Sequence, residues 1–185
     1  FVPAPCIGAC DKAPAAAIGH QLVEHASFDA LKDVRMAGHA EIPDGAKGFD
    51  AYCADGGYQT LKAVLDGSRS REEVLGIVDE AALRGLGGAG FPTGRKWRIV
   101  GDQPGPRLMA VNGDEGEPGT FKDRLYLSND PHRMIEGILI AAHIVDIDAC
   151  YIYMRDEYPE IIALLRREIA LVEAAGLADH VKLHL

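Results

Sequence analysis

Apolar residues recur at helical spacing at Val74, Ile77, Val78 and Ala81, directly after the tetrapeptide Ser70-Arg-Glu-Glu73. A serine followed three positions later by a glutamate matches a capping box, in which each side chain satisfies an orphan amide at the start of a helix. The pattern predicts a helix from Arg71 to about Leu83. Asp130-Pro131 opens a second helix, whose apolar positions Met134, Ile135, Ile138, Leu139 and Ala142 run to about Val145. Tyr158 to Ala175 reads as a long amphipathic helix closed by Gly176 at a C′ position. Three shorter runs, Leu108–Asn112, Ala149–Met154 and Val181–Leu185, read as strands. Upstream there are shorter helical signals at Phe28–Val34 and Gln59–Leu65. Strands alternating with helices imply an α/β layered domain with a largely parallel sheet.

The punctuation changes along the chain. Residues 1–35 hold a Pro-Cys-x-x-x-Cys loop, an alanine run from Ala13 to Ala17 and the first helix-like stretch, as expected of the tail of a small domain. Residues 36–70 are broken by Pro43, Gly45, Gly48, Gly56, Gly57 and Gly67 and read as a linker and entry segment. Regular periodicity fills 71–185. The first residue is not methionine, and Lys182-Leu-His-Leu185 looks like a strand cut before its turn, so a fragment is expected.

Composition narrows the function classes. With 48% hydrophobic and 25% charged residues in 185, the chain suits one globular domain plus part of another. A net charge of −9 argues against a nucleic-acid or anionic-membrane surface, since phosphate binding needs a positive field. No run of about 18 apolar residues occurs, and no signal-peptide pattern opens the chain, so a cytoplasmic location is expected.

Two loops carry the candidate chemistry. Gly85-Leu-Gly87-Gly88-Ala89-Gly90 spells G-x-G-x-x-G, but a Rossmann fingerprint needs a strand before it and a helix directly after. Here a helix precedes, and Phe91-Pro92-Thr93-Gly94 stands where the following helix would have to begin. The Gly-Lys-Ser/Thr triplet of a phosphate-binding Walker loop is also missing around Lys96. What remains is bare main chain, whose amides a phosphate or a flat ring can approach closely. Phe91 offers a stacking face, and Arg95, Lys96 and Arg98 supply positive charge. A tight connection without a ligand would use the same residues.

Asn112-Gly-Asp114-Glu115-Gly116-Glu117-Pro-Gly119 follows the first strand, at the strand end where open α/β sheets bind ligands. Its carboxylates and asparagine can accept hydrogen bonds from ribose hydroxyls, a carboxamide or a flavin ring N–H. A solvated turn or a Mg²⁺ or Ca²⁺ site are rival readings, although calcium-loop spacing is absent.

Together the stretches Arg84-Gly-Leu-Gly-Gly-Ala-Gly-Phe-Pro-Thr-Gly-Arg-Lys-Trp97 and Asn112-Gly-Asp-Glu-Gly-Glu-Pro-Gly-Thr-Phe-Lys-Asp-Arg124 resemble the paired flavin-site motifs of the NADH-binding, FMN-containing subunits of respiratory complex I, NAD-reducing hydrogenases and NAD-dependent formate dehydrogenases. The likeness continues through Asp130-Pro-His-Arg-Met-Ile-Glu-Gly137 and Tyr151-Ile-Tyr-Met-Arg155, covering roughly residues 55–185. It implies a Rossmann-like layered flavin domain in which Gly85, Gly87, Gly88, Ala89 and Gly90 wrap FMN. Lys96, Asn112, Asp114, Glu115 and Gly116 would contact the flavin, and Phe91 and Glu117 would help hold NAD(H). Leu86 stands where complex I members usually carry arginine. The family's four-cysteine [4Fe–4S] domain is expected beyond residue 185. No side chain need act as acid or base, because hydride passes between nicotinamide and flavin.

Cys6-Ile-Gly-Ala-Cys10-Asp-Lys-Ala-Pro14 is similar to the second half of the motif of thioredoxin-like [2Fe–2S] ferredoxins. Two thiolates are half of the four ligands such a cluster needs, so an upstream pair is required, or Cys6 and Cys10 are vestigial. Cys53 and Cys150 read as buried structural thiols. A ferredoxin-like segment fused to the flavin segment, with Leu86 and Arg95 in the loop, leans toward a formate dehydrogenase or hydrogenase diaphorase subunit over complex I. The implied partners are NAD(H) and other iron–sulfur subunits. A non-catalytic iron–sulfur scaffold and a conventional Rossmann dehydrogenase are the alternatives.

Overall fold

A computed structural model describes residues 6–19, 21–34 and 42–185. Its element order is β1 (Ala16–Ile18), β2 (Gln21–Val23), α1 (Phe28–Asp33), α2 (Phe49–Ala54), α3 (Gln59–Leu65), α4 (Arg71–Glu80), α5 (Thr93–Gly101), β3 (Leu108–Gly113), α6 (Lys122–Asn129), α7 (Pro131–Val145), β4 (Ala149–Met154), α8 (Pro159–Ala174) and β5 (Lys182–His184). β1 and β2 form a small antiparallel hairpin. β3, β4 and β5 form a parallel sheet in that order, with Leu108 opposite Ala149 and Ala149 opposite Lys182. The mixed α/β architecture with a parallel sheet is the one the alternating pattern predicts.

Of two hydrophobic clusters, the smaller gathers Val64, Val74, Leu75 and Ile144, and the larger joins most of the elements. Ile135, Leu139 and Ala142 of α7, Ile161, Leu165 and Val172 of α8, and Cys150 and Ile152 of β4 are buried together. Burying each large aliphatic side chain contributes about 1.5–3 kcal/mol, so this cluster dominates the stability. Tyr58 and Leu61, at the start of α3, are also in it, and α2 and α3 pack on α8 and α7. The glycine-punctuated segment before residue 70 therefore carries two helices against this core, of which only α3 is visible in the hydrophobic pattern. The second face of the sheet exposes Leu108, Tyr151 and Tyr153, with the Tyr151 and His184 rings stacked at 4.7 Å.

The local signals are confirmed in detail. Ser70 Oγ accepts from Glu73 N–H while Glu73 Oε2 accepts from Ser70 N–H, closing the capping box. Gly176 sits at φ +70°, as a C′ glycine should. Two details differ. α4 ends at Glu80, short of Leu83, and buries Val74 and Leu75 while Ile77 points outward. Asp130 precedes α7 but makes no side-chain cap, and Pro131 takes the first helical position.

Candidate functional site

The glycine loop is a hairpin-like excursion between two helices. Arg84 and Pro92 form an isolated antiparallel bridge, Gly85 N–H donates to Phe91 C=O at 3.0 Å, and Thr93 N–H donates to Leu83 C=O at 2.9 Å. Arg84 Nη1 donates to Gly90 C=O at 2.9 Å and ties the loop's far limb to its base. A helix follows at Thr93, which corrects the expectation that Phe91-Pro92-Thr93-Gly94 would prevent one. Pro92 takes the N-cap position, and α5 starts with two residues of poor helix propensity. Gly94 packs against the Asp79 carboxylate, which pairs with Arg98 at 2.6 Å and would have to swing aside for a Cβ at this position.

The loop's tip presents open main chain. A Cβ at Gly87, Gly88 or Gly90 would meet no heavy atom within 4 Å, and Gly88 and Gly90 have φ of +99° and +58°. Gly90 and Gly85 are half-buried; Gly87, Gly88 and Ala89 are exposed. Bare amides facing free space, without side chains in the way, fit a phosphate-bearing flat cofactor such as FMN. Phe91 is exposed, and the Arg95 guanidinium lies 5.6 Å from its ring centroid, covering one face. Lys96 is exposed, and its ammonium has no hydrogen bond or ion pair among the described residues.

The acidic loop leaves the C-terminal end of β3. Gly113 is buried because a Cβ would lie 2.4 Å from Met154 Sδ and 2.9 Å from Tyr153 C=O, where β3 and β4 are paired. Asn112 Oδ1 accepts from Asp114 N–H at 2.9 Å, an Asx turn that starts the loop. Asp114, Gly116 and Glu117 are exposed. Glu115, by contrast, is 2% exposed, and its carboxylate accepts from the amides of Asp123 (3.0 Å) and Arg124 (3.3 Å). It caps the N-terminus of α6, which has no local cap. The carboxylate expected to face a cofactor is thus occupied by a helix, and only its backbone remains available.

The cysteine loop is seated on the acidic loop. Gly119 N–H donates to Cys10 Sγ at 3.2 Å, Arg124 pairs with Asp11, and Gly8 lies against the buried Tyr158 ring. Arg155, just past β4 and 8% exposed, donates to Glu115 C=O at 2.6 Å and to Cys6 C=O at 2.7 Å. Its pairing with Glu157 at 3.1 Å holds that carboxyl below its ordinary range. Arg155 belongs to the stretch Tyr151–Arg155, yet no spacing rule marks it as the link between two loops. Cys6 is half-buried and Cys10 exposed. Among the described residues no group of three or more His, Cys, Asp and Glu is placed to hold a metal ion, so these residues offer at most half of a [2Fe–2S] ligand set. Cys53 is half-buried, and Cys150 lies in the core, where burial pushes its thiol up to about 11. No hydrogen bond or ion pair among the described residues joins the glycine loop to the acidic loop; each is fixed by its own element.

A buried polar network lies behind the site and escapes sequence reasoning. Tyr58 O–H lies 2.7 Å from His132 Nδ1, and His132 Nε2 lies 2.8 Å from Glu168 Oε2. Glu168 also accepts from Phe49 N–H and Arg167 Nε, while Glu136 accepts from Tyr52 O–H and from the amides of Tyr58 and Leu61. Burial pushes the Tyr52 and Tyr58 phenols far above their ordinary values, with Glu136 adding to the shift of both. Two clefts, of about 270 and 250 Å³, open beside the N-terminal segment, one lined by Ile7, Gln21 and Glu157 and the other by Asp11, Phe121 and Arg124. Neither is lined by the glycine loop, whose tip is open.

Residues 78–185 match the family model described as the Nuo51 FMN-binding domain. An NADH-quinone oxidoreductase subunit of Aquifex aeolicus is 48% identical over 69% of this chain and 30% of its own length. The mitochondrial 51 kDa subunit of NADH-ubiquinone oxidoreductase from Neurospora crassa is 40% identical over 65% of this chain and 25% of its own. A solved chain of an NAD⁺-reducing [NiFe]-hydrogenase in its H₂-reduced state superposes with a TM-score of 0.75 at 28% identity, covering 97% of this chain and 34% of that one. The chain therefore spans about a third or less of the length of these relatives. Among the described residues no helix is long and apolar enough to cross a membrane.

Proposed function

Because this chain belongs to the Nuo51 FMN-binding domain family, we propose that it forms the first part of a flavin subunit that exchanges hydride between NAD(H) and FMN and passes electrons singly to or from iron–sulfur clusters. The observation that carries the reading is the glycine loop, whose main chain faces open space over Gly87, Gly88 and Gly90. When bound, FMN supplies the conversion between two-electron and one-electron transfer. The protein's part is to bind, orient and exclude water. Gly85, Gly87, Gly88, Ala89 and Gly90 hold the flavin by their backbone, and Lys96 supplies a cation for its phosphate. Asn112, Asp114 and Gly116 contact the ring system, while Glu115 acts through its carbonyl and its cap on α6. Phe91 and Glu117 position the nicotinamide nucleotide.

Residues 1–35 form the C-terminal part of a thioredoxin-like domain, 36–70 lead into the flavin domain, and 71–185 are that domain's first half. Cys6 and Cys10 are two ligands of a [2Fe–2S] cluster whose other pair lies elsewhere, and a [4Fe–4S] centre follows in the family's later domain. A diaphorase subunit of the hydrogenase type has one observation in its support. The hydrogenase chain matches 97% of this chain, N-terminal segment included, whereas the family model begins at residue 78. Residues 78–185 suit a complex I protein equally well. The purified full-length protein is expected to reduce an artificial dye with NADH and to lose that activity when stripped of FMN. Flavin-free protein without dye reduction after FMN is restored would overturn the reading.

A further inference from the structure

Arg155 is more heavily engaged than an ion pair with Glu157 requires. A guanidinium carries five N–H donors in a planar fork, whereas a lysine ammonium at the same place could serve only one of two separated carbonyls well. Here Nη1 donates to Glu115 C=O and Nη2 to Cys6 C=O, at 2.6 and 2.7 Å, and Glu157 neutralises the charge from 3.1 Å. Asp114 Oδ1 stands 3.8 Å from Nε. Glu115 is consequently tied at both ends, its carboxylate by the first amides of α6 and its carbonyl by Arg155. A loop with one residue fixed this firmly has little freedom in the residues either side, which are Asp114, Gly116 and Glu117. The same guanidinium fixes the cysteine loop to the same frame through Cys6, beside the Gly119–Cys10 contact.

We infer that Arg155 is the positioning residue of the acidic loop, setting the backbone from which Asp114 and Gly116 meet the flavin and Glu117 meets the nicotinamide nucleotide, and locking the cysteine loop against it. The inference rests on the reading of this loop as part of the flavin and nucleotide site. Arg155→Met, Arg155→Lys and, as a control that keeps the fork, Glu157→Gln are made in the full-length protein and assayed saturated with FMN. Arg155→Met is expected to raise the KM for NADH about tenfold while kcat changes less than about threefold, the signature of lost ground-state binding geometry. Amide hydrogen exchange should quicken together at residues 6–12 and 114–119 and stay unchanged in α4. Arg155→Lys should fall between, and it carries the test alone if Arg155→Met does not fold; Glu157→Gln should stay within about twofold of wild type. Unchanged KM and exchange in Arg155→Met overturn the inference, as does exchange that quickens equally in α4, which marks general destabilisation. If the wild-type protein neither binds FMN nor oxidises NADH, the site reading falls, and the exchange comparison alone decides whether Arg155 locks the two loops.

Discussion

Glycine identity is the most informative residue-scale signal in this chain, and it acts in two opposite ways. At Gly113 a side chain is forbidden by the paired strand, whose Tyr153 carbonyl would lie 2.9 Å from a Cβ, while at Gly94 a side chain would displace only the exposed Asp79 carboxylate. At Gly87, Gly88 and Gly90 nothing in the protein forbids one, so the bare backbone serves what lies outside it. The sequence shows all five as one glycine-rich run or strand end; only the folded chain separates packing from presentation. Gly88→Val is therefore expected to fold and to lose FMN, apart from strain of about 1 kcal/mol or more from its φ of +99°. Retention of stoichiometric flavin would refute the cradle. Glu117, exposed and with no hydrogen bond to its carboxylate among the described residues, should when changed to Gln weaken nucleotide binding more than flavin binding, as read by NADH titration against flavin content. Asn112, Asp114 and Glu117 were legible as polar groups at a strand end; that Glu115 differs from them was not, because its partner amides come from residues 123 and 124.

Element boundaries were legible where a helix carries its own signals and illegible where it borrows them. α4 has its capping box, α7 its Asp-Pro start, and α8 its amphipathic period and terminal glycine. α2, α3 and α6 have no side-chain cap of their own. Each is capped by a buried glutamate from elsewhere in the chain: Glu168 on Phe49, Glu136 on Tyr58 and Leu61, Glu115 on Asp123 and Arg124. Of these three helices α2 and α6 went undetected, while α3 was legible from its apolar spacing despite its borrowed cap. Glu136→Leu, which strands two amides and the Tyr52 hydroxyl, is expected to cost about 3 kcal/mol, measured as a lower denaturation midpoint with unchanged slope. α5 was hidden by Thr93-Gly94, two poor helix formers, and by the glycines before them. Gly94→Ala should cost no more than about 1 kcal/mol, the loss of the exposed Asp79–Arg98 pair as the Asp79 carboxylate swings aside. Adding Asp79→Ala should add little to that loss; a strictly additive double variant would contradict the packing assignment.

At the scale of the whole molecule, the buried Tyr58–His132–Glu168 chain joins the glycine-punctuated N-terminal half to α7 and α8, and it predicts an acid response. Burial alone would raise the Glu168 carboxyl, but hydrogen bonds from His132, Arg167 and the Phe49 amide outweigh it and hold its pKa down. A depressed carboxyl contributes stability that is present above its unfolded pKa of about 4.3 and is lost as pH falls through the lower folded value. The Tm should therefore drop more steeply below about pH 4.3 in wild type than in Glu168→Gln, which should start from a lower Tm at neutral pH. The α/β class and parallel sheet follow from alternating periodicity, but the docking of the cysteine loop on the acidic loop rests on Arg155, Gly119 and Arg124, which no local pattern connects to Cys6, Cys10 and Asp11. The central claim is that the glycine loop holds a flavin beside a nucleotide site, and flavin released by denaturing the purified full-length protein tests it most directly. One FMN per wild-type molecule and little or none in Gly88→Val is the predicted result; equal FMN in both proteins, or none in wild type after incubation with FMN, would contradict it.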